Sequence, residues 1–484
     1  MRPRGRAGAT MFGVAVTVAM LAVGCSGGES AADKAGGPGE PVVLTMANTY
    51  TDLNKLPAVQ SFVSQVEVRS DGNLRIKTMD SYGNSSADAE QQVVRAVADG
   101  TVDLGWAPTR VFDTMGVTAF QALQAPMLID SYALEQAVIT AGIPGQMLQG
   151  VDRIGVRGLG VLADGLRKPV AVKGALLGPT DWRGLTFGTL ESQGQALAIR
   201  ALGATPMVVQ GDNRKKALNS GKLQGFEHHL LVYQANALAQ LAPYVTANVN
   251  LWPQMDVLLA NPDRFAALSE QQRSWLDQAA HDATERSVAL ADQDAQIIQD
   301  VCKGGARFAN ASKADLAALN KALAPVFASL EKDPQTKAFI QQIENLKRST
   351  PADTPLAIPA DCTGKAPEET VEQSGTVPAE LNGTYRYVLT KDDARKGGEG
   401  NLDEYPSVTT VALRDGQVKG GCFDGGATYW VNGKRVTFNA PAYGYTMTVT
   451  FSTDAKGNLH LTPVQPMDRG DAFVCFYKPW TKIS

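Results

Sequence analysis

Histidine is scarce here, four in 484 residues, which leaves little material for a serine–histidine–aspartate catalytic set. Neither H-E-x-x-H nor G-x-S-x-G occurs, so the signatures of a zinc peptidase and of a nucleophile elbow are both missing. No C-x-x-C and no mixed Cys/His cluster suggests a metal site. Basic residues do not interleave with aromatics, and the net charge of −4 is small for this length. Both facts argue against nucleic acid as a partner. Past residue 23 no run is long and apolar enough to span a bilayer. The phrase Gly158-x-Gly160-x-x-Ala163 looks like a dinucleotide fingerprint, but it lies inside a strand pattern with no helix start behind it. The expectation is a protein with no catalytic residue, no resident metal and no cofactor.

What is present begins at the N-terminus. Arg2, Arg4 and Arg6 precede an apolar stretch at residues 11–23, followed by Gly24-Cys25-Ser26. A positive region, a short apolar region and small residues mark a secretory signal peptide. Small residues leading directly into a cysteine look like a bacterial lipobox, in which Cys25 carries lipid after cleavage at residues 1–24; the plainer alternative is an ordinary signal peptide with an incidental cysteine. Residues 25–40 are rich in Gly, Ser and Ala and suit a flexible tether. The expected location is the outer face of the bacterial cytoplasmic membrane, the bilayer being reached through Cys25. Removing that residue from the five cysteines leaves four: Cys302, Cys362, Cys422 and Cys475. Export permits disulfides, and four cysteines allow three pairings. The pairs 302–362 and 422–475 are expected, because each closes a loop within one region.

Hydrophobic residues at 44 % and charged residues at 19 % are ordinary for a chain with a real core. Residues 41–345 alternate short apolar runs with helix-period stripes, which is an α/β pattern. Strands are expected at 42–46, 74–79, 102–106, 155–162, 185–190, 205–209 and 225–229. A helix stripe at Val59, Phe62, Val63 and Val66 separates the first two. A capping box at Ser269 and Gln272 opens a helix pattern that runs without Pro or Gly to Cys302. At 1.5 Å per residue it would reach roughly 50 Å, enough to run between two lobes. Residues 346–380 read as a Pro-, Thr- and Glu-rich linker with only Cys362 fixed. Residues 381–484 show strand patterns at 384–389, 408–413, 428–431, 435–438, 446–451, 459–461 and 473–477. Asp415-Gly416, Asn432-Gly433 and Lys456-Gly457-Asn458 supply hairpin signals between them. That region is expected to be a small antiparallel all-β domain, a sandwich or partial barrel.

Several phrases carry a resemblance when taken in order. They are Tyr82-Gly83-Asn84-Ser85 followed by Glu90, the run Val97 to Leu104, Leu123-Gln124-Ala125-Pro126-Met127-Leu128, and Asp164-Gly165-Leu166-Arg167. Pro179-Thr180-Asp181-Trp182-Arg183-Gly184-Leu185 and Ala201 to Pro206 follow, then Ala217 to Glu227. Over residues 42–330 this order resembles the receptors of TRAP-type (tripartite ATP-independent periplasmic) transporters, in particular the dicarboxylate receptors. The resemblance implies a bilobal, type II periplasmic-binding-protein-like α/β fold with a long inter-lobe helix, lobe II spanning roughly 166–255. It also implies closure on a small-molecule ligand and delivery to membrane permease subunits. The family places an arginine on the strand after the Pro-x-Asp phrase to pair with a ligand carboxylate; the matching position here is Gly188. Either Arg167, the second family arginine, takes the anion, or the ligand is not an ordinary carboxylate. The C-terminal β domain has no counterpart in the standard receptor.

The candidate ligand-binding residues are Tyr50, Trp106, Arg167, Thr189, Glu227 and His228. Glu227-His228-His229 could also be taken for a metal site, but neighbouring residues on a strand face opposite ways. Replacing Arg167 or Glu227 by alanine is expected to weaken binding with folding intact. Two functions of different kinds follow: a transport receptor for a small polar or anionic solute, such as an organic acid, or a cell-envelope sensor or interaction lipoprotein that has lost transport. A secreted hydrolase is a third, for which no acid–base set is visible.

Overall fold

The computed structural model describes residues 41–484 except 352, 367–374, 398–404, 424–425, 441–444 and 465–474. The segments expected to be a signal peptide (residues 1–24) and a tether (25–40), Cys25 included, lie outside the described residues. Ten strands build the first unit: β1 (Val42–Ala47), β2 (Leu74–Met79), β3 (Leu104–Pro108), β4 (Arg157–Ala171), β5 (Thr186–Thr189), β6 (Thr205–Val208), β7 (Gly225–His228), β8 (Tyr244–Thr246), β9 (Trp252–Ala260) and β10 (Arg307–Ala309). Their hydrogen-bonded order is β2-β1-β3-β9-β4-β7-β5-β6, with β8 on β4 and β10 on β8. β1 runs parallel to β2 and β3, and β5 runs parallel to β6 and β7. Parallel neighbours need crossover connections, and the intervening helices supply them. Each parallel set forms one lobe.

The lobes share β4 and β9. β9 pairs with β3 on one side and with β4 on the other, while the last residues of β4, Lys168 to Ala171, pair with β7. The β4–β9 ladder slips register between Ala163 and Gly165. Gly165 sits there at φ +113°, and a Cβ on it would lie 3.0 Å from the Cβ of His229. Only glycine takes that backbone without strain, so the bulge and the close approach require the same residue.

Burial follows the expected stripe: on the helix Pro57–Arg69, Val59, Phe62 and Val66 are buried and Val63 is partly so. Each fully buried side chain of this kind contributes about 1.5–3 kcal/mol. That helix packs on the helix Glu270–Ala291, whose buried Ala279, Ala280 and Ala283 allow close approach to it and to β4. Ser269 and Gln272 form the capping box: Gln272 N donates to Ser269 Oγ at 3.2 Å and Ser269 N to Gln272 Oε1 at 2.9 Å. The helix is shorter than its sequence pattern. It stops at Ala291, and a second helix, Asp294–Lys303, continues into lobe II. No Pro or Gly causes the break. Tyr132 donates its hydroxyl to the terminal Ala291 carbonyl, and Lys168 of β4 lies 3.3 Å from the Asp294 carboxylate. Distant side chains therefore take over the ends, which the local pattern cannot reveal.

The segment read as a linker is tied down beyond Cys362. The helix Pro334–Ser349 extends into it. The Asp353 carboxylate then accepts from Tyr132 N at 2.7 Å and Ala133 N at 3.1 Å, at the start of the helix Tyr132–Thr140. Cys362 is bonded to Cys302, and Ala366 N donates to Tyr244 Oη at 3.1 Å.

The second unit holds β11 (Gly383–Leu389), β12 (Ser407–Arg414), β13 (Gln417–Lys419), β14 (Ala427–Asn432), β15 (Arg435–Ala440), β16 (Tyr445–Thr453), β17 (Leu459–Pro463) and β18 (Thr481–Lys482). Its order is β17-β16-β15-β14-β13-β12-β11-β18, antiparallel throughout. Leu459 and Trp480 exchange backbone hydrogen bonds of 2.9 and 2.8 Å, so the two ends of the sheet meet. The result is a closed meander barrel rather than a sandwich, and closure removes the exposed strand edges. Asp415 and Gly416, both at positive φ, turn the β12–β13 hairpin. The strand expected at 473–477 is absent at its described end, where Cys475 and Phe476 form a helical turn; β18 closes the sheet instead. Cys422 is bonded to Cys475. Tyr385, Tyr387, Tyr429, Phe423, Phe438, Phe476 and Trp480 fill the interior.

Trp480 is fully buried, donates Nε1–H to the Cys475 carbonyl at 2.9 Å and closes the sheet through its backbone. Trp480→Ala is expected to destabilise the barrel by about 3–5 kcal/mol. Denaturant unfolding followed by barrel tyrosine fluorescence measures this, and a loss within 1 kcal/mol, on the order of a surface change, would contradict the packing.

Candidate ligand-binding cleft

Between the lobes lies a cavity of about 340 Å³, within the usual size range for small-molecule sites. Its walls come from segments that follow strand ends, where open α/β sheets gather ligands. Thr49, Tyr50 and Thr51 follow β1, Leu190 follows β5, and Gln210 and Gly211 follow β6. The helix Gly211–Asn219 adds Arg214 and Lys215, and β7 adds His228. Lys55 and Asn236 face each other across the mouth, Lys55 Nζ donating to Asn236 Oδ1 at 3.2 Å. Gln210 Nε2 donates across to the Ser86 carbonyl. These bonds join the lobes at the cavity, and Asp113, accepting from Ser192 Oγ at 2.7 Å and Gly194 N at 2.9 Å, joins them elsewhere.

Arg167 reaches the cavity from β4 but is already engaged. Its Nε–H donates to Glu227 Oε2, Nη1 to Gln254 Oε1, and Nη2 to the Glu227 carbonyl at 3.1 Å. Arg167 and Glu227 are both about 2 % exposed. Burial alone would lower the guanidinium's pKa, yet Glu227 holds it above its usual value. Removing either partner strands a charge in the interior, at a cost of about 3–5 kcal/mol. This corrects the expectation that the alanine variants leave folding intact. Glu227 does not line the cavity; it neutralises and aims Arg167 from behind.

Tyr50 and His228 line the cavity. Tyr50 stands edge-on to Trp106, ring centroids 5.4 Å apart. Trp106 itself is buried beneath, donating Nε1–H to Asn48 Oδ1 at 3.2 Å, so it supports Tyr50 and is not part of the wall. Thr189 is buried beside Leu190, its hydroxyl without a hydrogen-bond partner among the described residues. His228 Nδ1 also lacks one. His229 lies past the end of β7, as the N-cap of the helix Leu230–Ala235, so strand alternation does not govern it. Its ring sits 5.2 Å from that of His228, which corrects the expectation of opposite faces, and its Nε2 is 3.7 Å from Asp164 Oδ2. Burial first, and the Arg167 charge second, hold both imidazoles well below their usual pKa and therefore neutral. Among the described residues no group of three or more His, Cys, Asp or Glu is placed to hold a metal ion.

Behind the cavity floor lie two further buried acids. Gln254 Nε2 donates to Asp164 Oδ2 at 2.7 Å and to Asp256 Oδ1 at 3.4 Å, while Asp256 Oδ2 has no partner among the described residues. Burial pushes Asp164 well up and Asp256 to about 7.

Four cationic side chains, Lys55, Arg167, Arg214 and Lys215, line the cavity against one carboxylate, Glu90. Glu90 is already paired with buried Arg110. The space is thus cationic, with hydroxyl, amide and imidazole groups around it. Arg214 was not legible as a site residue, because Arg214-Lys215-Lys216 has the look of a solvated charge run on a helix.

A sequence comparison adds to this geometry. The family of bacterial extracellular solute-binding proteins, family 7, which is the TRAP receptor family, matches residues 48–333. The chain belongs to this family. A solute-binding protein of Verminephrobacter eiseniae is 27 % identical over 290 residues, 60 % of this chain and 84 % of that one. Two solved TRAP receptors share the fold. One, from Ralstonia eutropha with bound (S)-2-acetolactate, has a TM-score of 0.58 at 20 % identity and covers 63 % of this chain and 99 % of its own. The other, from Roseobacter denitrificans with bound β-D-glucuronate, has a TM-score of 0.56 at 18 % identity over 62 % and 99 %. In this family 7 receptor the matched part ends before the barrel begins.

The buried acid of Asp256 gives the receptor a defined pH response. A carboxyl whose folded pKa is raised stabilises the fold below its unfolded value near 4, and that contribution is lost as pH rises through about 7. His228 and His229 act in the opposite sense, losing stability as pH falls below about 6.5. Asp256→Asn removes the first response, together with the part of the Asp164 rise that the Asp256 charge causes, and leaves that of the histidines. Its melting temperature relative to wild type is therefore expected to climb between pH 5 and pH 8. A flat difference across that range, measured by calorimetry, would refute the assignment.

Proposed function

We propose that this protein is an exported, lipid-anchored receptor that captures a small carboxylated, hydroxyl-bearing solute and hands it to a membrane permease. The carrying observation is the inter-lobe cavity lined by Lys55, Arg214 and Lys215 beside two internally neutral pairs, Arg167 with Glu227 and Arg110 with Glu90. Chemistry on the ligand is not part of this reading. Lobe closure removes water, and the remaining positive charge then acts in a low-dielectric space where a charge-assisted hydrogen bond is strongest. Tyr50, His228 and Asn236 would orient the hydroxyl groups. The acids bound by the Ralstonia and Roseobacter receptors, 2-acetolactate and glucuronate, belong to this chemical class.

In this reading residues 1–24 are removed on export, Cys25 carries the lipid, and residues 25–40 hold residues 41–345 clear of the bilayer. Residues 346–380 then connect to residues 381–484. The barrel strand β16 packs against the helix Gly211–Asn219 at the cleft. That contact favours one second reading, an envelope sensor in which a partner of the barrel, rather than a permease, registers ligand closure. Co-purification of a permease with the anchored chain separates the two.

Isothermal titration of the full chain in mild detergent tests the ligand class. Glucuronate, galacturonate or 2-acetolactate is expected to bind at one site per chain, while D-glucose gives no heat. Equal binding of the neutral sugar, or silence from all three acids, would remove the reading.

A further inference from the structure

The strand β5 carries Gly188 at a place where the resemblance to TRAP receptors leads one to expect an arginine. Gly188 is the in-register partner of Phe226 on β7, and neighbours in register share one face of a sheet. A Cβ on Gly188 would lie 3.2 Å from both Phe226 Cβ and Leu223 Cδ2. A side chain there would press more tightly than ordinary contact on Leu223 and on the Cβ that carries the Phe226 ring.

A guanidinium does stand over that ring. Arg214, from the helix Gly211–Asn219, holds its guanidinium carbon 5.0 Å from the Phe226 centroid and lines the cavity. It is 8 % exposed, its Nε is buried without a hydrogen-bond partner, and it forms no ion pair among the described residues. Every other buried guanidinium at the cleft is neutralised, Arg167 by Glu227 and Arg110 by Glu90. Arg214 instead faces a second cation, Arg167, and burial together with that repulsion lowers its pKa to about 10. It is charged and desolvated, with Glu227, itself paired with Arg167, offsetting only part of that repulsion.

We infer that Arg214 is the carboxylate anchor of this receptor, a guanidinium delivered from a helix and steadied on Phe226 in place of one borne by the strand at Gly188. The inference rests on the carboxylated-ligand reading given above. A planar guanidinium fork matches a carboxylate, and Arg214 is a buried cation at the cavity with no ion pair among the described residues. Arg167, balanced by Glu227, then supplies hydrogen bonds rather than net charge. Such an anchor costs stability until ligand arrives, as binding residues commonly do.

Three variants of the full chain test this: Arg214→Met, Arg214→Lys and, as a control away from the cleft, Arg386→Met. Titrations with galacturonate, glucuronate and 2-acetolactate and ligand-free thermal melts are recorded. The expected result for Arg214→Met is a loss of affinity of roughly 10- to 100-fold, the range for a charged hydrogen bond, with a ligand-free melting temperature above wild type. Arg214→Lys restores part of the affinity, and Arg386→Met changes none of it. Acids that bind wild type and Arg214→Met alike overturn this inference alone. A ligand-free Arg214→Met that melts below wild type also overturns it, because Arg214 would then be structural. A wild type that takes up none of galacturonate, glucuronate and 2-acetolactate overturns the ligand class proposed above, and this inference with it.

Discussion

The buried pairing of Arg167 with Glu227 joins the two strands on which the cleft depends. Arg167 lies on β4 where that strand leaves β9 for β7, and Glu227 lies on β7 itself. Gln254 of β9 completes the set by accepting from Arg167 and donating to Asp164. A single guanidinium thus touches all three strands at the crossing between the lobes. Buried ion pairs contribute little net stability, but they tolerate few alternative arrangements. In this fold that property fixes the relative setting of strands whose flanking elements form opposite walls of the cavity.

Because that pair is internally neutral, the electrostatics of the cavity are decided by what remains. Glu90 is balanced by Arg110, which leaves Lys55 and the cationic helix segment Arg214-Lys215 facing the space. The helix that carries Arg214 and Lys215 also packs against β16 of the barrel. A domain that is not part of the matched family region therefore bears on the element that supplies the cleft's uncompensated charge.

Much of the architecture was legible locally. The strand positions at 42–46, 74–79 and 205–209, the stripe on the helix Pro57–Arg69, the capping box at Ser269 and the Asp415-Gly416 hairpin are all short-range signals, and the structure carries them. The ordered family phrases led to the two-lobed class. Less of the site could be read. Tyr50, Arg167 and His228 line the cavity, whereas Trp106 and Glu227 act from behind it. From sequence, an aromatic after a strand looks the same whether it faces a ligand or carries the ring that does.

By itself the sequence determined which segments are strands and helices, because period-2 and period-3.6 patterns and turn residues act within a few positions. It also restricted the cysteines to a small number of pairings. Tertiary structure alone decided the break at Asp292, the straps at Asp353 and Ala366, and the closure of the barrel through Leu459 and Trp480. It likewise separated Arg167 from Arg214, one neutralised and the other not. Each of these turns on a partner tens to hundreds of residues away, and whether a charge is balanced depends on distance in space, which the order of residues does not record.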